Sequence, residues 1–377
     1  MSGAGRGPGG FPHGDPGEGP PGGSHVVGPR GGPTGGLGGD LGEARPLGLL
    51  ARILPFSAVD GPGNRAVFFL QGCDFDCAYC HNPETRAPCS GCGACLPACP
   101  AGALSPAGGG SGAGALAFSR GAPGEAAAGR GDPRGGAQGA PPAWDRGRCR
   151  DCGACAAACP HGSSPRARLL SAEDALADIE RFRPFLRGIT VSGGECTLQP
   201  AFLASLLEAA RARGLPGLVD TNGGRPLAAF PRVLRAAKGF MLDVKAWNPA
   251  EHLALAGADN GPVLENLRLL SGSGALFEVR TVLALRAGAS AAGEGRGVDA
   301  ASEDDPAAWA FDLEETVRET AAVLRAARSR ARYRLIRYRP FGVRPDRAAA
   351  LREPGEALAA RLAALAREAG AAEVLVS

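Results

Sequence analysis

Cys73-Asp74-Phe75-Asp76-Cys77-Ala78-Tyr79-Cys80 puts three thiols into eight residues with the spacing C-x3-C-x2-C, and His81-Asn82-Pro83-Glu84-Thr85 follows without a fourth cysteine. Thiolates are soft anionic donors that suit iron and zinc, and a short loop lets three of them converge on one centre. Bound to a [4Fe–4S] cube, Cys73, Cys77 and Cys80 leave one iron without a protein ligand. An open position of that kind marks catalytic metals. The competing reading is a zinc knuckle completed by His81.

Two further runs follow. Cys89, Cys92, Cys95 and Cys99 precede Pro100, and Cys149, Cys152, Cys155 and Cys159 repeat the spacing before Pro160. Both match the bacterial ferredoxin pattern, in which the fourth cysteine of each run ligates the other cluster. The expected sets are Cys89, Cys92 and Cys95 with Cys159, and Cys149, Cys152 and Cys155 with Cys99, giving three [4Fe–4S] clusters in all. Zinc ordinarily takes four ligands from two separated knuckles, whereas each run here packs four thiols into eleven positions. The twelfth cysteine, Cys196, reads as a small packed residue. A secreted disulfide scaffold would be short and cysteine-dense, and this chain of 377 residues is neither.

Composition divides the rest. Residues 1–44 hold 18 Gly and 7 Pro, and residues 101–143 hold 13 Gly and 13 Ala. Neither stretch buries enough apolar surface to offset chain entropy, so both are expected to be disordered. Pairing Cys99 with Cys149 makes residues 101–148 loop out, which is tolerable because closure entropy grows slowly with length. A weak stretch at 286–308 interrupts otherwise periodic sequence. The expected organisation is a tail at 1–44, a main domain from 45–88 and 166–377, and a two-cluster insert at 89–165. The net charge of +3, with basic and acidic residues interleaved, gives no nucleic-acid argument. There is no secretory leader or run of about 18 apolar residues, so a cytoplasmic protein off the membrane is expected. Only two lysines, Lys238 and Lys245, stand among 41 basic residues. Where a lysine survives, an ammonium is expected to matter.

CDFDCAYCHNPET (Cys73–Thr85) resembles the cluster loop of the radical S-adenosylmethionine superfamily. SAVDGPGNRAVFFLQGC (Ser57–Cys73) is similar to the corresponding segment of glycyl-radical-enzyme activases, the family of the activators of pyruvate formate-lyase and of glycerol and choline lyases. Several members carry a two-cluster insert after this loop. The resemblance covers roughly residues 46–100 and 149–345.

The apolar pattern agrees with that family's fold. Strands are predicted at Ala66–Leu70, Gly188–Ser192, Leu218–Thr221, Phe240–Val244, Leu276–Leu283 and Tyr333–Tyr338. Helices are predicted from Ser171, whose capping box closes on Asp174, and at Pro200–Arg213, Leu227–Lys238, Pro262–Leu270 and Leu313–Arg328. Strand–helix alternation implies an α/β fold with parallel strands. Six units suggest a partial (β/α)6 radical S-adenosylmethionine barrel interrupted by a ferredoxin-like double-cluster domain. Its chemistry is expected at the strands' C-terminal ends.

The family's motifs fall at those ends. Gly193, Gly194 and Glu195 resemble the GGE motif that binds the methionyl amine of S-adenosylmethionine. Asp220, Thr221 and Asn222 match a DTNG motif facing ribose and methionine. Asp243 and Lys245 match DxK, and Arg280 matches an arginine that contacts the cofactor carboxylate. Tyr79 stands where an aromatic contacts adenine, and Asn82 where a residue lies near the cofactor. Some members hold a monovalent cation at positions matching Asp220, Thr221, Met241 and Asp243. One departure is the last predicted strand, Arg337-Tyr338-Arg339-Pro340, which lacks the histidine found in activators of pyruvate formate-lyase.

The resemblance implies an oxidoreductase that reductively cleaves S-adenosylmethionine to methionine and a 5′-deoxyadenosyl radical. The radical then removes a hydrogen from a glycine Cα of a partner glycyl-radical enzyme, in an anaerobic setting. The two-cluster insert is expected to relay electrons from flavodoxin or ferredoxin. Other classes weighed are a radical enzyme acting on a small molecule or peptide, and a non-catalytic ferredoxin-like electron carrier.

Overall fold

The structure, a computed structural model, describes residues 45–107, 139–287 and 310–377. The expectations for 1–44, 108–138 and 288–309 lie outside the described residues.

Arg65-Ala-Val-Phe-Phe-Leu70 is buried at every position, as a strand covered on both faces requires. The strands in chain order are β1 (Leu47–Ser57), β2 (Arg65–Leu70), the short β3 (Leu104–Ser105) and β4 (Ala143–Trp144) of the insert, and β5 (Arg168–Ser171). Next come β6 (Gly188–Gly193), β7 (Gly217–Thr221), β8 (Gly239–Asp243), β9 (Leu276–Leu283) and β10 (Leu285–Arg286). The last are β11 (Arg332–Arg337), β12 (Leu351–Arg352) and β13 (Glu373–Val376).

Nine of them form one sheet in the order β13-β11-β9-β8-β7-β6-β2-β1-β5. From β2 to β13 every neighbouring pair is parallel, while β1 and β5 join antiparallel. The sheet is open, with β5 and β13 at its two edges. All six predicted strands are present. Three more extend the sheet: a seventh parallel strand, β13, and the antiparallel pair β1 and β5. Gly48 and Pro55 weaken β1 as a sequence signal, and its register slips twice along β2. Pairing with the next strand, β2, and across the insert with β5 makes it a strand.

Ser171 caps the helix Ala172–Ala177 by accepting from the Asp174 N–H at 3.1 Å, as the capping box predicts. The helix predicted over Leu227–Lys238 is instead a 3-10 turn, Leu227–Ala229, and a helix, Pro231–Ala236. Pro231 lacks an N–H and disfavours helical backbone at Phe230, which sits at φ −118° and ψ 62°. The helix Pro200–Ala212 buries Phe202, Leu203, Leu206 and Leu207 in the core. A helix at Glu356–Glu368, not predicted, leads into β13.

The stretch 101–143 needs correction at its ends. Leu104 pairs with Trp144 and Ser105 with Ala143, and the buried Ala103 sits beside them. Two backbone pairs thus close the base of the insert's loop. Arg286, the first residue of the weak stretch 286–308, likewise pairs with Leu351.

Candidate functional site

Strands β6, β7 and β8 are buried along most of their length and open only near their C-terminal ends, at Ser192 and Gly193, at Asp220 and at Asp243. Polar side chains emerge there and link across the sheet. Ser192 Oγ donates to Asp220 Oδ2 at 2.9 Å. Arg280, on β9, bridges the next two strands: Nη2 bonds Asp220 Oδ1, and Nε bonds Asp243 Oδ1 at 2.8 Å. Lys245 Nζ completes the ladder on Asp243 Oδ2 at 3.2 Å.

Burial opposes every charge in this ladder, and the outcome differs between the carboxylates. Burial raises the Asp220 pKa against the pull of Arg280. Asp243 suffers the same burial, but Arg280 and Lys245 together bring it below its ordinary value. Arg280 stays charged, because Asp220 and Asp243 outweigh its desolvation.

Glu195 is buried and held by four N–H and O–H donors, with the Cys196 thiol at 4.0 Å. Its Oε1 accepts from Thr197 N at 2.9 Å, Thr197 Oγ1 at 2.6 Å and Thr221 Oγ1 at 2.9 Å. Its Oε2 accepts from Asn222 N at 2.7 Å. Burial, reinforced by nearby Asp74, pushes its pKa up to about 7. The glycines before it serve a close backbone contact. A Cβ on Gly193, whose φ is +126°, would stand 2.3 Å from Leu70 N, and one on Gly194 would stand 2.2 Å from Gly72 O. The approach that demands glycine is therefore to the backbone leading into Cys73. Glu195 N donates to Gly72 O at 2.7 Å and Gly194 N to Leu70 O at 3.0 Å.

The cysteine loop lies against this clamp. Asn222 Nδ2 donates to Asp74 Oδ1 at 3.0 Å and stands 3.7 Å from Cys73 Sγ. Burial raises the thiol pKa of Cys73, Cys77 and Cys80. Lys245 opposes that rise at Cys77 and Cys80, and its ammonium lies 5.7 Å from the Tyr79 ring centre. Tyr79 is buried, and its hydroxyl has no hydrogen-bond partner among the described residues. Asp76, between the first two cysteines, meets Arg86 at 3.1 Å, Arg344 at 2.5 Å and Arg347 at 3.7 Å. His81 Nε2 lies 2.9 Å from Arg339 O. The segment after β11 thus straps the loop down.

In the insert, Cys99, Cys149, Cys152 and Cys155 line a single small cavity. They are one of the two sets that the ferredoxin spacing predicts. Cys89 and Cys159 stand close enough to act on one another electrostatically, and Cys95 senses both. Backbone donors near Ala103 lower the Cys99 pKa. Burial would raise that of Cys149, but the Asp151 N–H, Trp144 and Arg166 reverse it. Among the described residues no three His, Cys, Asp or Glu side chains close on a site for one ion. The thiols of Cys99, Cys149, Cys152 and Cys155 surround a cavity instead, which suits a cube with its irons at separate corners. That donor set therefore fits a [4Fe–4S] group, and the other two groups carry the same thiol chemistry.

The structure brings Glu195, Thr221 and Asn222 against Cys73, and links Asp220, Asp243, Lys245 and Arg280. Asn82 goes elsewhere: its Oδ1 accepts from Arg52 at 3.0 Å, and its carbonyl accepts from the Thr85 hydroxyl. Arg337, in the segment without histidine, pairs with Glu353 at 2.9 Å. Sequence reading missed Thr197, which orients Glu195, and Asp74, Asp76 and Arg344. The Asp76–Arg344 contact spans 268 residues, so no local signal reveals it.

Comparison with known proteins gives three family matches that overlap along the chain. The radical SAM superfamily matches residues 146–283, a 4Fe-4S dicluster domain matches 88–163, and a 4Fe-4S single cluster domain matches 59–95. The isethionate sulfite-lyase activating enzyme of Desulfovibrio desulfuricans is 31% identical over 243 residues, covering 59% of this chain and 68% of that one. The indoleacetate decarboxylase activating enzyme of Tractidigestivibacter scatoligenes is 30% identical over 234 residues, covering 58% and 67%. The pyruvate formate-lyase-activating enzyme of Streptococcus mutans is 26% identical over 245 residues, covering 63% and 65%.

Proposed function

We propose, from the premise that this chain belongs to the glycyl-radical enzyme activating enzymes of the radical S-adenosylmethionine superfamily, that it installs a radical on a glycine of a partner enzyme. When bound there, a [4Fe–4S] group and S-adenosylmethionine would supply the electron and the radical chemistry. The protein's part is to hold, orient and exclude water. Cys73, Cys77 and Cys80 hold the cluster, and Lys245 offsets the negative charge gathered on their loop. Glu195 is fixed by four donors before any ligand arrives, so its remaining acceptor capacity has one direction. Asp220, Asp243 and Arg280 hold one another rigidly, and Arg280 Nη1 has no hydrogen bond among the described residues. It is the group suited to a ligand carboxylate. Tyr79 lies within the loop, its ring facing the Lys245 ammonium, and Asn82 stands just after it, bonded to Arg52.

The observation that carries this reading is the position of the three-cysteine loop. Its backbone is stitched to Glu195 at the end of β6, beside the charged ladder of β7, β8 and β9. The insert's eight cysteines, read as two further [4Fe–4S] sites, support a relay from a one-electron donor of flavodoxin or ferredoxin type. Among the described residues no helix is long and apolar enough to cross a membrane.

The test is anaerobic 5′-deoxyadenosine formation from S-adenosylmethionine and dithionite. Cys77→Ala is expected to abolish it while the insert's iron stays. Normal turnover by that variant refutes the assignment. With a glycyl-radical enzyme added, a glycine-centred EPR signal is expected only when chain, S-adenosylmethionine and reductant are all present.

A further inference from the structure

Two buried nitrogen donors in the insert, Trp144 Nε1 and Arg166 Nε, make no hydrogen bond of ordinary geometry, and the thiol that both side chains act on is that of Cys149. Both line the small cavity whose walls carry Cys99, Cys149, Cys152 and Cys155. A buried donor left unmatched costs about 1–3 kcal/mol, so two facing one cavity point to an acceptor inside it. Apart from Arg150, the rest of the wall is apolar or sulfur, and cluster and thiolate sulfurs accept hydrogen bonds.

Both donors are held in place. Trp144 sits on β4, opposite Leu104 on β3. Arg166 Nη1 is bound by the Asp151 carboxylate, and Asp151 itself lies between Cys149 and Cys152 with a left-handed φ of 51°. Two backbone donors add to them: Ala103 N at 3.2 Å from Cys99 Sγ and Asp151 N at 3.4 Å from Cys149 Sγ. The other set, Cys89, Cys92, Cys95 and Cys159, receives a backbone donor from Gly91 at Cys89 but no cationic or indole donor of this kind among the described residues. The unpartnered groups nearest it in sequence are the hydroxyls of Ser90 and Ser163, which are neutral and free to turn.

We propose that Trp144 and Arg166 raise the reduction potential of the cluster held by Cys99, Cys149, Cys152 and Cys155 above that of its neighbour in the insert. The physical reason is that reduction adds one negative charge, and a cation with N–H donors aimed at the sulfurs stabilises the reduced form. One electron enters from a low-potential carrier protein, which is oxidised, and no bond forms or breaks. The electron comes to rest at this site first. The other set is the next step inward, since the turn after Cys159 brings Gly162 against Pro83 O, three residues beyond Cys80. The inference rests on the reading that the insert binds two cubes.

EPR-monitored redox titration of the full-length, anaerobically reconstituted chain tests it. Arg166→Gln combined with Trp144→Phe is expected to lower one insert couple, with at least a tenfold change in its oxidised-to-reduced ratio, or about 59 mV for one electron. The shifted signal should be the one whose shape changes in Cys152→Ser. Arg166→Lys should recover part of the shift. Trp144→Phe alone should move the same couple the same way by less, which covers a combined variant that loses iron. Unmoved potentials with full iron, or a shift in the signal that Cys92→Ser alters, overturn the inference. An insert that takes up no iron overturns the two-cube reading and this inference with it.

Discussion

Arg280 is the residue on which the strand-end ladder depends, and Arg280→Met tests that most directly. The guanidinium is the only described cation that touches both Asp220 and Asp243. At the 2.8 Å separation from Asp243 and an effective dielectric near 20, the attraction alone is about 6 kcal/mol. Desolvation offsets part of this. Removing one partner of such a buried pair typically costs about 3–5 kcal/mol, because the other charge is left stranded. The stranding is unequal here. Asp243 keeps Lys245 at 3.2 Å, whereas Asp220 keeps only the neutral Ser192 hydroxyl. Arg280→Met should therefore destabilise by about 3–5 kcal/mol, and adding Asp220→Asn should restore part of that loss by removing the stranded charge. Urea titration of the iron-loaded chain under anaerobic conditions measures it. With a slope near about 3 kcal/mol/M, the single variant's midpoint falls by roughly 1 M or more. A loss below about 1 kcal/mol, or a double variant no more stable than Arg280→Met, refutes the reasoning.

Three further outcomes are expected. Gly194→Ala places a methyl 2.2 Å from Gly72 O and 2.8 Å from Thr85 O; iron analysis should show loss of the Cys73–Cys77–Cys80 centre with the insert's EPR signals kept. Glu195, raised from 4.5 to about 7, holds a proton in the native state at pH values where the unfolded chain has released it. Its contribution to stability is thus full below about 4.5 and lost as pH rises through about 7, a fall of about 3 kcal/mol at about 1.36 kcal/mol per unit; Glu195→Gln should flatten that part of the pH profile, and an unchanged profile counts against the burial argument. Arg344→Leu leaves Asp76 with Arg86 and Arg347, so stability should change by under about 1 kcal/mol. Amide exchange over residues 73–80 should nevertheless quicken, and exchange at the wild-type rate would show that the strap does not restrain the loop.

Much of the site was legible in sequence, because the chemistry depends on short spacings. C-x3-C-x2-C and the two ferredoxin runs declare thiol clusters within a few residues, where loop length alone makes donors converge. Parallel strands such as Arg65–Leu70 declare themselves as apolar runs, since both faces are covered. The two strand-end carboxylates and Arg280 are legible as motif positions, but the motif directs them to a cofactor. The structure shows that Arg280 first binds Asp220 and Asp243. It also shows Gly193 and Gly194 packed on backbone rather than left open.

What sequence alone determined is the kind of chemistry: cysteine spacing, apolar periodicity and the two scarce lysines are all local. Tertiary structure decided which charges neutralise one another, which donors stay unmatched and which strands complete the sheet. β5 and β13 exist through pairings with segments far along the chain, and the Asp76–Arg344 contact joins residues 268 apart. The physical reason is that a hydrogen bond or ion pair is set by distance in space. Only the parallel crossover path brings Ser192, Asp220, Asp243 and Arg280 to one row of strand ends.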